Sequence, residues 1–223
     1  MLLLRPSHGQ NFIYPSINSN GYKLSDFVPL GWSILDSAKG DLNKDGINDA
    51  AIILEYNDSI TFVKSREDTV LTQPRMLLIL FKTALDNNFR VAAQSNSFIL
   101  NHDSPAMDDP YQELKIDKGV LRIRFHMFYN IGSWYVTNTS YKFRYQQGEF
   151  ILIGADYYSF HRASLDFEEY SYNFLTKKRS FTKGNDNKGT KKTTWKSVKI
   201  SMPKTLKTFK EPFTWEVEKD LYL

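Results

Sequence analysis

Apolar residues along this chain either alternate with polar ones or form short unbroken runs, and both patterns are typical of β-strands. The runs at 50–56, "AAIILEY", and at 75–82, "RMLLILFK", are bounded by turn residues and predict central strands buried on both faces. Further strands are predicted at residues 89–95, 111–116, 120–129, 134–146, 149–160, 168–176, 193–200 and 213–218. Because short turns separate these segments, the pattern predicts a mainly β protein with an antiparallel meander sheet, or sheets, of about ten strands.

Three short connections carry residues that favour tight turns. Asn87-Asn88 separates two predicted strands, and Asp117-Lys118-Gly119 and Gln147-Gly148 separate two further pairs. Glycine and asparagine accept the positive φ that two-residue hairpin turns require. Each pair of strands is therefore predicted to form a β-hairpin.

The first fifty residues carry the only helical signal. A brief helix over residues 31–38, stopped by Gly40, is predicted there as a short N-terminal helical segment. Residues 1–20 are expected to be an N-terminal tail, either disordered or the clipped end of a signal region with Ser7 to Gly9 near the cleavage point. Residues 21–223 are expected to form a single β-rich domain.

Composition narrows the classes of protein. Aromatic residues make up 15% of the chain, which favours pleated, half-buried surfaces. The absence of cysteine excludes disulfides, thiolate metal sites and cysteine nucleophiles. No apolar run reaches the roughly 18 residues that a membrane-spanning helix needs, so no transmembrane segment is predicted.

Positive charge is concentrated near the C-terminus. Residues 177–210 contain twelve Lys or Arg and one acid, Asp186, so this segment carries +11 and the rest of the +4 chain carries −7. Two basic arms flank a "GNDNKG" turn, which predicts a basic hairpin at about 176–200 with Phe181 and Trp195 among its cations. Such a hairpin suits an anionic envelope polymer or a nucleic acid. The alternative is a solvated surface hairpin with no partner.

The stretch "GDLNKDGINDAAIILEY" at 40–56 places oxygen-bearing side chains at alternating positions of a curled loop. Calcium prefers six to eight hard oxygen ligands. The predicted Ca2+ ligands are the side chains of Asp41, Asn43, Asp45 and Asp49 and the carbonyl of Ile47. The alternative is an acidic turn held by local hydrogen bonds, without an ion.

The same loop resembles two known calcium loops. It is similar to the first half of an EF-hand loop, but Ile52 stands where an EF-hand has its bidentate Glu. It is more similar to the D-x-[DN]-x-D-G-x-x-D loop of the FG-GAP or VCBS repeat family, with Asp49 leading directly into a strand. The resemblance covers about 16 residues and occurs once, so it implies a calcium loop entering a strand rather than a propeller. Bacterial envelope proteins with a single such loop are also similar.

Two predicted strands alternate so that cations share one face. In 120–129 and 134–146, the predicted ligand-binding residues are Arg122, Arg124, His126, Lys142 and Arg144. If the strands are neighbours, these residues form a basic face that could bind a carboxylate or phosphate. The alternative is a solvated outer face, with the cations paired to Glu113 or Glu149.

Catalytic signals are weak. The loop "NHDSPAMDDP" places His102, Asp103 and Ser104 together, but adjacency in sequence does not provide the geometry of a triad. The first hypothesis is therefore a non-enzymatic, extracytoplasmic (periplasmic or secreted) calcium-binding β protein that binds an anionic polymer, a glycan or an envelope component. The alternatives are a hydrolase with a carboxylate or histidine site, and a nucleic-acid binder that uses the Lys-rich hairpin.

Overall fold

The computed structural model describes residues 12–63, 69–102, 104–200 and 202–223. Their strands pair antiparallel throughout, which confirms the prediction of a mainly β, antiparallel fold. The strands are β1 Asn20–Gly21, β2 Trp32–Gly40, β3 Asp49–Tyr56, β4 Ile60–Val63, β5 Thr69–Thr72, β6 Arg75–Lys82, β7 Phe89–Ser95, β8 Tyr111–Asp117, β9 Val120–Phe128, β10 Tyr135–Gln146, β11 Glu149–His161, β12 Asp166–Asn173, β13 Lys178–Asn185, β14 Thr190–Ser197, β15 Glu216–Glu218 and β16 Leu221–Tyr222.

The strands form two main sheets. The small sheet has five strands in the order β1-β7-β6-β3-β2, and the large sheet is a seven-stranded meander from β8 to β14. Two further hairpins, β4–β5 and β15–β16, stand apart from both sheets. The expectation of about ten strands is therefore too low, because the described part of the chain contains sixteen.

The helix predicted at 31–38 is wrong, since Gly31 lies in a turn and the residues from Trp32 onward belong to β2. This strand pairs with β3 from Trp32 opposite Tyr56 to Gly40 opposite Asp49. Because β3 is buried on both faces, its backbone groups need a hydrogen-bonding neighbour on each side, and this requirement outweighs the local helical signal. In the described ranges the only helical element is a four-residue 3-10 turn, Leu24–Phe27.

The three predicted hairpins are confirmed, since β6 pairs with β7, β8 with β9 and β10 with β11. Lys118 and Gly119 have φ values of 49° and 74° between β8 and β9, and Gln147 and Gly148 have 53° and 85° between β10 and β11. Positive φ at both central positions matches the right-handed twist of the paired strands. The turns thus set the register of the meander.

The two sheets face each other across one core. The small sheet contributes Ile53 and Ile79, and the large sheet contributes Ile123, Phe143 and Leu152. All five side chains are fully buried. Buried apolar residues of 198–223 cover the same core beyond β14. Burial of this apolar surface is the main force that joins the sheets.

The opposite face of the small sheet is also covered, which confirms that β3 and β6 are buried on both faces. Ile52 and Leu78 lie in a second cluster with Trp32, and Phe12 and Tyr14 pack against it. Residues 12–20 were predicted to be part of an N-terminal tail, but some of their side chains pack on the sheet. Residues 1–11, with the proposed clipped signal region, lie outside the described residues. None of the helices in the described ranges is long and apolar enough to cross a membrane.

The sheets approach closely where β2 lies beside β8. The carboxylate of Asp36 accepts hydrogen bonds from the hydroxyl of Tyr111 and the amide of Leu114. A Cβ atom at Gly40 would lie 2.5 Å from Cγ2 of Ile116, so only glycine fits there. This contact places the loop after β2 against the turn after β8.

Candidate functional site

The acidic loop, residues 41–49, is anchored by a buried carboxylate. Asp49 is 0% exposed, and its Oδ2 accepts hydrogen bonds from the amides of Leu42 and Asn43 at 2.8 and 3.2 Å. Its Oδ1 accepts one from the amide of Lys82 at the end of β6, at 2.9 Å. Burial raises the pKa of this carboxyl, although the three amides favour its charged form. Asp49 therefore ties the loop to the small sheet.

The exposed part of the loop is held by its own amides. Asp41 accepts hydrogen bonds from the amides of Lys44 at 2.6 Å and Gly46 at 2.9 Å. Asp45 accepts from the side-chain amide of Asn43 at 2.9 Å and from the backbone amide of Ile47 at 2.8 Å. These bonds are those of an acidic turn, the arrangement that needs no ion.

The chemical type of the loop's potential ligand atoms nevertheless suits calcium. Asp41, Asn43, Asp45 and the carbonyl of Ile47 offer only hard oxygens on a curled loop. Asp49 has three of its roughly four acceptor positions already in use, so its role is to anchor the loop. Across the described ranges, no three His, Cys, Asp or Glu side chains lie close enough together to hold a metal ion. Calcium binding stays a prediction.

Pairing of β9 with β10 brings the predicted basic face together. Arg122 lies opposite Lys142, and Arg124 and His126 lie opposite Ser140 and Asn138. Arg144 follows on β10, opposite Val120. The strands are thus the neighbours that this face required.

Acidic neighbours compensate much of this charge. Glu113 on β8 lies 3.2 Å from the guanidinium of Arg122 and 3.7 Å from that of Arg124. Asp156 on β11 lies 2.5 Å from Lys142. Two carboxylates thus partly neutralise the four Arg and Lys side chains. Such pairing is what the alternative of a solvated outer face predicted. Anion binding at the basic face stays untested.

Strands β13 and β14 form a hairpin over Lys178–Ser197, here called the lysine hairpin. Its outer strand, β14, is exposed at every position, and Trp195 is 75% exposed. Two of its cations, Arg179 and Lys196, bind Glu218 of β15. Among the described residues, no ion pair involves the other lysines of the hairpin, Lys178, Lys183, Lys188, Lys191 and Lys192.

Four of those lysines surround one cleft. It has a volume of about 570 Å³, and the residues that border it include Lys183, Lys188, Lys191, Lys192 and Phe167. Asp166 and Glu168 also reach it, so positive charge exceeds negative there by two. An elongated, negatively charged molecule would meet several lysines that form no ion pair within the described ranges.

Within the described ranges, the histidines considered for a hydrolase do not gather into a catalytic group. His102 donates a hydrogen bond to the carbonyl of Met107, and His126 contacts the side-chain oxygen of Asn138 at 2.9 Å. His161 accepts a hydrogen bond from the amide of Ser164 at 3.0 Å. Each of these three histidines has a separate local partner. Asp103 lies outside the described residues.

The sequence reading missed the structural role of Arg75, which is 3% exposed at the start of β6. Its guanidinium binds Glu55 at 2.6 Å and Asp109 at 2.5 Å, and donates to the carbonyl of Leu100 at 3.0 Å. The sequence did contain a signal for this role, since Arg75 is a charged residue at the start of an unbroken apolar run. A buried arginine at such a position needs acidic partners.

A scan against protein-family models found no match for this chain. Searches of curated proteins and of solved structures found no significant match either.

Proposed function

We propose that this chain is a non-enzymatic, extracytoplasmic binding protein that holds an acidic polysaccharide along the lysine hairpin and carries Ca2+ in the acidic loop. The observation that supports it most is the group of lysines around the cleft of β12–β14, for which the described part of the chain supplies no ion-pair partner. The cations of the basic face are less available, because Glu113 and Asp156 neutralise part of their charge.

The shape of the hairpin supports a polymer rather than a compact anion. Its lysines are spread along two strands and the connecting turn, and the outer strand is exposed on both faces. A chain with regularly spaced negative charges could contact several of them at once, and each contact releases bound counterions. The same lysines protect the exposed edge of β14 from pairing with other sheets.

The calcium part of the proposal is supported by the alternating oxygen ligands and by the loop's position at the entrance to β3. Weak sites of this kind belong to extracellular modules, whose dissociation constants are about 10⁻⁴–10⁻³ M. An extracytoplasmic location fits such a site because free calcium is abundant there.

Salt-dependent binding to heparin, a sulfated polysaccharide, tests the polymer site. A variant with Lys183, Lys188, Lys191 and Lys192 all changed to Gln should bind heparin more weakly, and its slope of log affinity against log salt should fall by about 3–4. The measurement is a titration followed by fluorescence anisotropy of labelled heparin fragments at several salt concentrations.

A matched control removes the same amount of charge elsewhere. Lys23, Lys39, Lys115 and Lys219 are exposed and lie outside the hairpin, so changing all four to Gln should leave most of the slope intact. Equal losses in the two variants would show that only net charge matters and would contradict a site on the hairpin. Tighter binding to single-stranded DNA of equal charge would instead favour a nucleic-acid partner.

A further inference from the structure

Three turns lie side by side at one end of the large sheet. They are residues 129–134 after β9, 162–165 after β11 and 186–189 after β13. The chain reverses at every turn of an antiparallel meander, so alternate turns lie at the same end of the sheet. Lys188, which borders the cleft of the lysine hairpin, belongs to the third of these turns.

Backbone hydrogen bonds join the three turns to one another. The amide of Arg162 donates to the carbonyl of Trp134 at 2.8 Å, which connects the second turn to the first. The amide of Asp186 donates to the carbonyl of Leu165 at 3.0 Å, which connects the third turn to the second. The turns therefore form one continuous surface at this end of the large sheet.

Aromatic rings are exposed at the first two turns. Trp134 and Tyr135 are 63% and 56% exposed. The ring of His161 lies beside both, with its centroid 6.3 Å from that of Trp134 and 4.9 Å from that of Tyr135. These three residues are here called the aromatic platform. Large aromatic side chains grouped in contact with water are typical of surfaces that bind a partner.

Arg162 holds the aromatic platform in place. Its guanidinium lies 4.9 Å from the ring centroid of Phe128 and 5.9 Å from that of Trp134. It also donates hydrogen bonds to the carbonyl of Tyr129 at 3.2 Å and to the carbonyl of Ser133. The turn that carries Trp134 is thus fixed before any partner binds, and a partner that stacks on it loses little free energy in ordering it.

The aromatic platform lies within reach of a polymer bound at the lysine hairpin. The platform ends on β11 and Lys191 lies on β14, so three strand spacings, roughly 14 Å, separate them. An oligosaccharide bridges such a distance, whereas a single sugar does not. Asp166 lies between them at the start of β12. Its carboxylate accepts hydrogen bonds from sugar hydroxyls but repels the closely spaced phosphates of single-stranded DNA.

We propose that the acidic polysaccharide continues from the lysine hairpin across the three turns to the aromatic platform, where one of its sugar rings stacks on Trp134 and Tyr135. The face of an aromatic ring carries partial negative charge, which attracts the polarised C–H groups of a sugar ring. This inference rests on the proposed function, because the lysines supply the charge contacts. The platform adds recognition of the sugar ring itself.

Heparin fragments of two lengths test the aromatic platform. The double variant Trp134→Ala with Tyr135→Ala should bind a heparin octasaccharide about tenfold more weakly than wild type, because two stacking contacts are lost. Its slope of log affinity against log salt should not change, because no cation has been removed. A heparin disaccharide is too short to reach from the lysines to the platform and should bind both proteins equally. Fluorescence anisotropy of the labelled fragments measures each affinity.

Two further variants are controls for this experiment. Tyr22 and Tyr222 are 72% and 48% exposed and lie away from the three turns, so changing both to Ala should leave octasaccharide binding as in wild type. Trp134→Phe with Tyr135→Phe keeps an aromatic ring at each position and should recover most of the affinity that the alanine variant loses.

The results that would overturn this inference differ from those that would overturn the proposed function. Equal octasaccharide affinities for wild type and the alanine double variant would exclude stacking on the platform, while a reduced salt slope in the lysine variant would still support the polymer site. An unchanged slope in the lysine variant would overturn both proposals. A greater loss for single-stranded DNA than for the octasaccharide would show that the platform stacks on bases, not on sugars.

Discussion

Single ionic side chains join elements that lie far apart in the sequence. Glu218 on β15 receives hydrogen bonds from Arg179, Lys196 and Tyr172, and so ties the C-terminal segment to the large sheet. Burial disfavours the charged carboxylate, but these three donors outweigh that effect and lower the pKa of Glu218 to about 2. The carboxylate is therefore stabilised specifically in the folded state.

The lowered pKa of Glu218 predicts a pH-dependent contribution to stability. The contribution is complete above the ordinary value of 4.5 and is lost as the pH falls towards 2. Glu218→Gln should lower the free energy of unfolding at pH 7 by about 1.5–3 kcal/mol, the usual value for hydrogen bonds to a charged group. Urea unfolding from pH 7 to pH 2 measures the difference between wild type and variant, which should shrink below pH 4.5.

Glu216→Gln is the matched control for that experiment. Glu216 lies on the same strand, is exposed, and forms no ion pair among the described residues. The Glu216→Gln substitution should therefore change the free energy of unfolding little at any pH. A Glu218→Gln penalty that stays constant down to pH 2 would contradict the role of the ionised carboxylate.

At the level of elements, one close approach joins the two main sheets. Strands β2 and β8 meet at Gly40, where the side chain of Ile116 fills the space that a Cβ would occupy. On the same strands, Asp36 accepts the hydrogen bonds of Tyr111 and Leu114. The sheets are therefore joined by packing and by half-buried polar contacts at this edge.

Gly40→Ala should destabilise the protein by about 1–3 kcal/mol, because the added methyl group would force β2 and β8 apart. Chemical denaturation measures the change. In the double variant with Ile116→Ala, the extra cost of Gly40→Ala should become much smaller, since the obstructing methyl group is gone. Additive costs in this double-mutant cycle would show that the contact between the two residues is not the cause.

At the level of the whole molecule, the acidic loop lies where three parts of the fold meet. It connects β2 to β3, and its Asp49 accepts a hydrogen bond from the amide of Lys82 at the end of β6. The carbonyl of Asp41 also lies against Gly119 in the β8–β9 turn, 3.4 Å from where a Cβ atom would be if Gly119 were alanine. An ion held in this loop would therefore stabilise both sheets together. The effect of calcium should appear in global unfolding.

Calcium at 5 mM should raise the melting temperature by about 5 °C relative to EDTA, because a ligand that binds only the folded state stabilises it. Asp45→Asn can keep the amide hydrogen bonds but removes one charged ligand, so the variant should lose most of this increase. Asp58→Asn, an exposed change just beyond the other end of β3, should keep it. Identical melting curves for wild type in calcium and EDTA would contradict the calcium site.

The local pattern of the chain was sufficient for the strands and for the tight turns. Arg75–Lys82 and Phe89–Ser95 have the bounds that apolar runs and turn residues predict. The turns at Gly119 and Gly148 depend on backbone conformations that glycine accepts at little cost. Such features involve neighbours in sequence, so they can be inferred without the fold.

Other features depend on residues that are distant in sequence. Trp32–Gly40 is a strand because β3 requires a partner, which no local signal shows. The basic face is partly neutralised because folding places Glu113 and Asp156 beside it.

By itself, then, the sequence determined the antiparallel β character, the hairpin turns and the acidic loop, because these follow from side-chain periodicity and local backbone preference. Only the tertiary structure decided which cations of the described ranges have ion-pair partners and that Trp134, Tyr135 and His161 share one surface. The physical reason is that charge compensation and shared surfaces arise from packing between separate strands, which a linear pattern does not specify.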